Sequence, residues 1–208
     1  FGSDGVDGLS NGNEAGGRTV WDNGAAINAG AVTWGNGAIG VKGAVSAANS
    51  LVGSSSFDTV GINGVIQVGA GNYVVASSGW DNGAVVDAGA VTWVNGAAGL
   101  SGTITSVNSL VGTTALDQVG IGGITVLSNG NYVVNSFAWN NTAAGATGAG
   151  AVTWGSGSAG VNGAVSAANS LVGTTTNDSV GYDNIVALGN GNYVVASRFW
   201  NNTAAATQ

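Results

Sequence analysis

Short apolar runs separated by turn residues make up most of the chain, and no ten-residue segment shows the apolar period of a surface helix. The clearest run covers residues 124–127 and is followed by Ser128-Asn129-Gly130-Asn131, in which Asn-Gly is a strong hairpin signal. The return segment, residues 132–139, is rich in aromatic and β-branched residues, which favour strands. The pattern predicts β-hairpins and an all-β protein.

Three short motifs each occur three times. Gly-Ala-Val-Thr-Trp begins at residues 30, 89 and 150, Asn-Ser-Leu-Val-Gly at 49, 108 and 169, and Gly-Asn-Tyr-Val-Val at 71, 130 and 191. Each motif recurs after 59 and then after 61 residues. Trp80 and Trp93 are 13 residues apart, whereas Trp139 and Trp154 are 15 apart. We therefore place a two-residue insertion in the loop of residues 140–148 and expect the flanking strands to keep their registers.

Each repeat is expected to contain four strands. In the third repeat the third strand should cover residues 151–154, and the fourth should lie near residues 164–168, before the Asn-Ser-Leu-Val-Gly motif. Four strands in about 60 residues match a β-propeller blade, whereas a β-solenoid, the alternative, usually repeats in about 20–30 residues. The predicted fold is an all-β repeat protein of four-stranded antiparallel, blade-like units.

The two ends of the chain depart from the repeat. Glu14-Ala15-Gly16 stands where the later repeat has Tyr132-Val133-Val134, so the first two strands of the first repeat should be poor. The C-terminal part offers two good strands, residues 185–188 and 193–200. We divide the chain into a degenerate half-repeat or cap (1–19), three repeats (20–68, 69–127 and 128–188) and a terminal half-repeat (189–208).

The order of motifs resembles that of the FG-GAP repeats of integrin-α-like β-propellers. The second repeat contains Val74-Val75-Ala76-Ser77, Asp87-Ala88-Gly89-Ala90-Val91-Thr92-Trp93, Leu110-Val111-Gly112 and Asp117-Gln118-Val119-Gly120, and the resemblance covers residues 20–202. The sequence is also similar to the Gly/Asn/Ser-rich repeats of large bacterial secreted exoproteins of the haemagglutinin type. Such relatives are surface adhesins or matrix proteins, which implies an extracellular or cell-surface location.

FG-GAP blades often carry an Asp-rich calcium loop between their first two strands, and this chain departs from that pattern. The corresponding residues 69–72, 128–131 and 189–192 contain no Asp. Calcium takes 6–8 oxygen ligands with carboxylate charge. We therefore expect neither a metal nor another cofactor.

Composition narrows the possible functions. Of 208 residues, 39 are Gly and 13 are charged, only three of them basic, and Cys, Pro, Met and His are absent. No imidazole or thiol chemistry is available, three basic residues are too few to neutralise a nucleic-acid backbone, and no apolar run is long enough for a membrane helix. A surface built from Gly, Ser, Thr, Asn and Ala favours a self-associating extracellular material. Without an initiator Met or a signal segment, we expect a processed chain.

Recurring residues are the candidates for chemistry. Asp58, Asp117 and Asp178 occupy one repeat position, and recurrence favours carboxylates that cap turns over ligands or catalysts. Trp34, Trp93 and Trp154 either pack between blades or stack sugars as glycan contacts. Asn-x-Ser/Thr sequons, the acceptors of N-glycosylation, occur at Asn140, Asn177 and Asn201. No Asp/Glu pair stands apart from the repeats, and we expect no enzyme.

The sequence favours a non-enzymatic extracellular structural protein, the subunit of a filament, sheath or surface adhesin assembled through β-strand contacts. A lectin-like carbohydrate-binding β-propeller is the alternative, and a functional amyloid fits the low charge but not a 59-residue unit. The expected contact joins the C-terminal hairpin of one subunit to the first repeat of the next, in a head-to-tail homopolymer. The other partner considered is the neighbouring repeats of a longer chain. The residues of the expected contact are Tyr193, Val194, Val195 and Trp200 with Glu14, Ala15 and Gly16.

Overall fold

The computed structural model describes residues 6–201, and within them the chain forms sixteen strands and one short 3-10 helix, Thr142–Ala144. The strands are β1 (Val6–Gly8), β2 (Glu14–Arg18), β3 (Ala31–Gly35), β4 (Ser50–Val52), β5 (Val65–Val68), β6 (Asn72–Ser77), β7 (Ala90–Val94), β8 (Gly102–Thr103), β9 (Ser109–Val111), β10 (Ile124–Val126), β11 (Tyr132–Ser136), β12 (Ala151–Gly155), β13 (Gly163–Ala164), β14 (Ser170–Val172), β15 (Asn184–Ala187) and β16 (Tyr193–Ala196).

The four-stranded antiparallel unit expected from the sequence is confirmed. Three sheets contain the antiparallel orders β1-β2-β3-β4, β5-β6-β7-β9 and β10-β11-β12-β14, the first two with a fifth, parallel strand from the next repeat, and the strands β15 and β16 form a fourth, two-stranded sheet. We refer to these sheets as the first to fourth blades. Among the described residues no sheet closes on itself and no strand of the first blade pairs with the fourth, so the blades form an open array.

The two-residue insertion lies in the predicted loop and leaves the strands in register. Tyr73 pairs with Val94 in the second blade, and the corresponding Tyr132 pairs with Gly155 in the third. In the second blade the loop closes through a bridge between Asn82 and Val85, whereas the longer loop of the third blade contains the 3-10 helix. A surface loop therefore absorbs the insertion.

The prediction for the fourth strand is wrong. The fourth strands are β4, β9 and β14, which lie in the Asn-Ser-Leu-Val-Gly motif itself. Each is fixed to the third strand by a hydroxyl pair, such as Thr92 and Ser109 at 2.7 Å. The segment predicted near residues 164–168 instead contributes β13, which pairs in parallel with β9 of the preceding blade.

The expectation that the first two strands of the first repeat are poor is also wrong as far as backbone pairing is concerned. β2 pairs with β1 on one side and with β3 on the other, and Ala15 is fully buried. Strand pairing uses backbone N–H and C=O groups, which Gly and Glu carry as well as Tyr and Val do. The altered side chains change what the strand buries without preventing the strand.

Within residues 6–201 the hydrophobic core consists of three clusters, each lying between two consecutive blades. The cluster between the second and third blades contains Val91, Leu110 and Val119 on one side and Val134, Ala151 and Val165 on the other. These side chains are at most 4% exposed. Each blade is thus stabilised by its neighbours, as in other repeat proteins.

Candidate functional site: the faces between blades

The recurring aspartates cap turns and connect neighbouring blades. Asp58 is fully buried, and its Oδ2 accepts hydrogen bonds from the N–H groups of Ser54 and Ser55 at 2.7 and 2.8 Å. Its Oδ1 accepts from the N–H of Asp81 in the next blade at 2.9 Å. Asp117 and Asp178 make the equivalent bonds. Both oxygens of these carboxylates are therefore occupied by backbone donors, and the capping interpretation is confirmed.

The pKa values of two of these carboxyl groups shift in opposite directions from the ordinary value of Asp. Burial raises the pKa of Asp58 above its ordinary value, against the N–H donors of Ser55, Asp81 and Ser54 and with a smaller contribution from the Asp81 carboxylate. Desolvation also opposes ionisation of Asp178. There the hydrogen bonds from Asn201, Thr175 and Thr174 outweigh it and hold the pKa below its ordinary value.

Inside the array, the fourth strand of each blade is covered by a segment of the next. β8 pairs in parallel with β4, with Leu51 opposite Gly102 and Val52 opposite Thr103. β13 covers β9 in the same register. Behind these short strands Ile104 and Val165 are 3% and 4% exposed. The edge of an internal blade is therefore paired and its apolar face is filled.

The loop after the third strand of a blade is held by the preceding blade. A Trp and an Asn of the preceding blade both donate to a Gly carbonyl of this loop. The carbonyl oxygen of Gly157 accepts from Trp93 Nε1 at 3.2 Å and from Asn72 Nδ2 at 2.9 Å, both in the preceding blade. A Cβ on Gly160 would lie only 2.6 Å from the Cβ of Trp93. Trp34, Asn13, Gly96 and Gly99 repeat this arrangement between the first and second blades. The glycines let the loop approach the preceding ring.

At the third blade the same residues are uncovered. Leu171 is 56% exposed, whereas the corresponding Leu51 and Leu110 are at most 1% exposed. Trp154 is 46% exposed, and its Nε1 has no acceptor among residues 6–201. Trp200, which lines a cleft together with Leu171, is 53% exposed. We call this surface, formed by Trp154, Leu171 and Trp200, the C-terminal face.

At the first blade the complementary residues are uncovered. Gly37 and Gly40 correspond to Gly157 and Gly160, and both are exposed. A Cβ on Gly40 would meet no atom within 4 Å. Val45, which corresponds to the buried Val165, is 37% exposed. We call the surface formed by Gly37, Gly40, Gly43 and Val45 the N-terminal face.

The matches to a known family recur along the chain with the repeat. A family model matches residues 8–62, 67–121, 126–182 and 187–208. The chain belongs to the family described as Repeat of unknown function (DUF5650). Each of the first three DUF5650 matches takes in the second, third and fourth strands of one blade, and the fourth, shorter match begins within β15. No curated protein matches the chain.

The residues of the expected assembly contact lie at both ends of this DUF5650 array. Tyr193, Val194 and Val195 are in β16, whose second edge has no partner strand among the described residues, and the exposed Trp200 follows it. Glu14, Ala15 and Gly16 are in β2, between β1 and β3. The hairpin is therefore available for a contact, whereas β2 is engaged within its own blade.

The proposed glycan contacts line shallow grooves between blades. Trp34, with Gly40, Asn49 and Leu100 among others, lines a groove of about 290 Å³. Trp93 lines a similar groove of about 220 Å³. Trp154 is exposed at the C-terminal face. The indole N–H groups of Trp34 and Trp93 donate to backbone carbonyls of the next blade, and both rings are partly buried against the core clusters.

The three sequons differ in accessibility. The Nδ2 group of Asn140 donates to Asp117 at 2.9 Å, and its Oδ1 accepts from the N–H of Gly148. Asn177 is exposed on the surface. Asn201 is exposed as well, and its Nδ2 donates to the carbonyl of Phe199; the Thr of this sequon lies outside the described residues.

Within residues 6–201, no three carboxylates lie together in a way that could hold a metal ion. No helix in that part of the chain is long and apolar enough to cross a bilayer.

Sequence reasoning missed the residues of the N-terminal face. Gly43, Gly102 and Gly163 share one repeat position, and each is followed two residues later by Val or Ile. This recurring Gly-x-Val/Ile pattern was the available signal for a short strand. Its partner lies in a different repeat, so no local pattern indicates the pairing.

Proposed function

We propose that this protein is a non-enzymatic structural protein of the extracellular space or cell surface, which assembles through β-strand contacts into a filament, sheath or surface adhesin. The observation that carries the proposal is the uncovered C-terminal face. Its Leu171 is 56% exposed although the corresponding Leu110 is fully buried. Exposed apolar patches and unpaired strand edges favour association.

The composition supports the same proposal. The chain has 13 charged residues and no Pro, so the two usual means of blunting a sheet edge are scarce. The recurring carboxylates accept hydrogen bonds from backbone N–H groups, which supports a structural role for them. A structural role requires neither a cofactor nor a reactive side chain.

The resemblance to FG-GAP blades and to haemagglutinin-type exoproteins points in the same direction. The blades described here have the antiparallel strand order of a propeller blade, and closed propellers use 4–8 blades. Three complete blades would therefore need blades from elsewhere, either from other subunits or from a longer chain. Proteins of these two types are surface adhesins or matrix proteins, and the proposal gives this chain a role of the same kind.

A carbohydrate-binding protein is the second candidate. The observation that favours it is the repetition of one groove at Trp34 and at Trp93. Sugars stack on the faces of such rings. However, Asn49 in the first groove already bonds Ala44 and Ser46 through its side chain, so few polar groups remain to orient a sugar.

The two candidates are separated by sedimentation velocity and negative-stain microscopy of the purified chain, with a glycan array in parallel. Structural assembly predicts concentration-dependent polymers without ligand. Leu171→Asp should keep the chain monomeric, whereas Leu116→Asp should not, because Leu116 is equally exposed but belongs to the connection between the second and third blades. A chain that stays monomeric up to its solubility limit would contradict assembly. Glycan binding that is lost in Trp34→Ala and Trp93→Ala would establish the lectin.

A further inference from the structure

The fourth blade lacks its third and fourth strands among the described residues. β15 and β16 occupy the positions of first and second strands and pack against the third blade through Ile185, Tyr193 and Val195. Beside them an open cleft of about 320 Å³ is lined by Leu171, Val172, Val180, Val195, Ser197 and Trp200. In an internal blade the equivalent space is filled by the next repeat, in which Ala151 and Val165 are buried.

The N-terminal face carries the residues that this cleft requires. Ala31 and Val45 correspond to Ala151 and Val165, and the first blade presents Val45 with 37% of its surface exposed. Gly40 is open at the position where Gly99 and Gly160 contact a Trp ring. The chain therefore has both halves of its internal interface, one at each end.

We propose that residues 31–53 of a second copy of this chain complete the fourth blade. The strand registers inside the chain, applied to the contact between two copies, give the expected pairing of β3 and of residues 43–44. β16 pairs with β3 of the second copy, so that Tyr193 lies opposite Gly35 and Val195 opposite Thr33. Residues 43–44 of the second copy pair in parallel with Leu171 and Val172. Trp154 then packs on Gly40, as Trp93 packs on Gly160.

This completion requires an exchange of strands. β2 already pairs with β3 in the position that β16 would take, so β1 and β2 of the second copy must leave. The exchange is favoured by the side chains, because Tyr193, Val194 and Val195 replace Glu14, Ala15 and Gly16 and bury more apolar surface. Exchange of an equivalent element between identical chains is a low-cost route to assembly. The contact is heterologous and extends into a filament unless it closes into a ring.

The proposal rests on the proposed function and names the segment through which the subunits join. It is tested by a pair of cysteines, since the chain contains no other cysteine. Thr33 and Val195 lie in the first and the fourth blade, so a disulfide in the double variant Val195→Cys, Thr33→Cys forms between chains. Mild oxidation should give a ladder of covalent oligomers on a non-reducing gel. Each single variant should give dimers at most.

The matched control is the double variant Val194→Cys, Thr33→Cys. Val194 neighbours Val195 but points to the opposite face of the strand, so this pair should give no ladder. Equal ladders in both double variants, or polymers that form without a Val195–Thr33 cross-link, would overturn the strand pairing while leaving structural assembly intact. A chain that remains monomeric would overturn both proposals.

Two measurements avoid any change to the strands themselves. Trypsin has three cleavage sites in the chain, after Arg18, Lys42 and Arg198. In polymers of the unmodified chain, cleavage after Arg18 should become faster because β2 is displaced. Cleavage after Lys42 should become slower.

The second measurement uses the variant Gly40→Asn, since Asn tolerates the positive φ of this open position. The variant should leave the monomer folded and prevent assembly by contact with Trp154. Unchanged cleavage after Arg18 in the polymer, or normal assembly of Gly40→Asn, would overturn the exchange.

Discussion

The second and third blades carry the same fourth strand, yet only the second buries it. Ser109–Val111 is covered by β13, and Leu110 is fully buried; Ser170–Val172 has no such cover among the described residues, and Leu171 is 56% exposed. The strand pairing on the other side is the same, with Val91 opposite Leu110 and Val152 opposite Leu171. The repeat motif therefore specifies the strand, whereas the neighbouring repeat supplies most of its burial.

The largest expected effect comes from truncating the two leucines. Leu110→Ala should lower the free energy of unfolding by about 2–5 kcal/mol because it leaves a cavity between two blades. Leu171→Ala should change it by only about 0.5 kcal/mol in the monomer, since the side chain is more than half exposed. Urea unfolding followed by Trp fluorescence, at a concentration where the chain is monomeric, measures both. Equal losses would show that burial by the next blade is not what stabilises the strand.

A second pair of variants isolates the contact between Trp and Gly. Gly99 and Gly40 have φ angles of 70° and 71°, so Ala at either position suffers the same backbone strain. At Gly99, however, the new Cβ would lie 2.7 Å from Trp34 Cγ, whereas at Gly40 it would meet nothing within 4 Å. Gly99→Ala should therefore be less stable than Gly40→Ala by about 1–3 kcal/mol, as measured by thermal unfolding. Matching midpoints would mean that the Trp side chain moves aside at little cost.

These glycines also show how far the sequence alone could lead. The hairpins, the period and the insertion loop follow from local patterns, such as Asn129-Gly130 between two apolar runs, and the structure has them where expected. β13 could not be located in this way because Gly163 and Ala164 are ordered by pairing with a strand of another repeat. β2 was not expected to be a good strand because Glu14 and Gly16 offer little apolar surface, although its backbone pairs with both β1 and β3. At the candidate site, β16 and Trp200 were identified from their missing partners, whereas Gly40 and Val45 emerge only from the stacked geometry.

A smaller effect is expected where the second and third blades differ in a turn. Leu116 has a φ of 64° and is 58% exposed, and the third blade has Asn177 at this position with the same φ. A left-handed backbone conformation costs a residue such as Leu about 1–2 kcal/mol, and Asn adopts it more readily. Leu116→Asn should therefore raise the free energy of unfolding by about 1 kcal/mol, and Asn177→Leu should lower it. Urea unfolding of both variants tests the prediction, and a loss of stability in Leu116→Asn would contradict it.

The smallest expected effect is in the pH dependence of two equivalent carboxylates. The lowered pKa of Asp178 means that its contribution to stability is present above the ordinary value of 3.8 and is lost as pH falls through the folded-state pKa. The raised pKa of Asp58 reverses the sign, so its contribution is present below 3.8 and is lost as pH rises through the folded-state pKa. Relative to the unmodified chain, Asp178→Asn should lose more stability at neutral than at acid pH, and Asp58→Asn more at acid pH. Unfolding midpoints of both variants across this range test the two signs, and a common sign would contradict the difference between the internal and the terminal turn.

The central claim, that the two end faces join as the internal blades do, is tested most directly by hydrogen exchange at increasing protein concentration. Peptides covering residues 108–112 and 169–173 contain the same Asn-Ser-Leu-Val-Gly sequence, so their intrinsic exchange rates match. We predict that residues 108–112 are protected at every concentration. Residues 169–173 should exchange faster in the monomer and reach the same protection once the chain assembles. Assembly that leaves residues 169–173 as unprotected as in the monomer would contradict the claim.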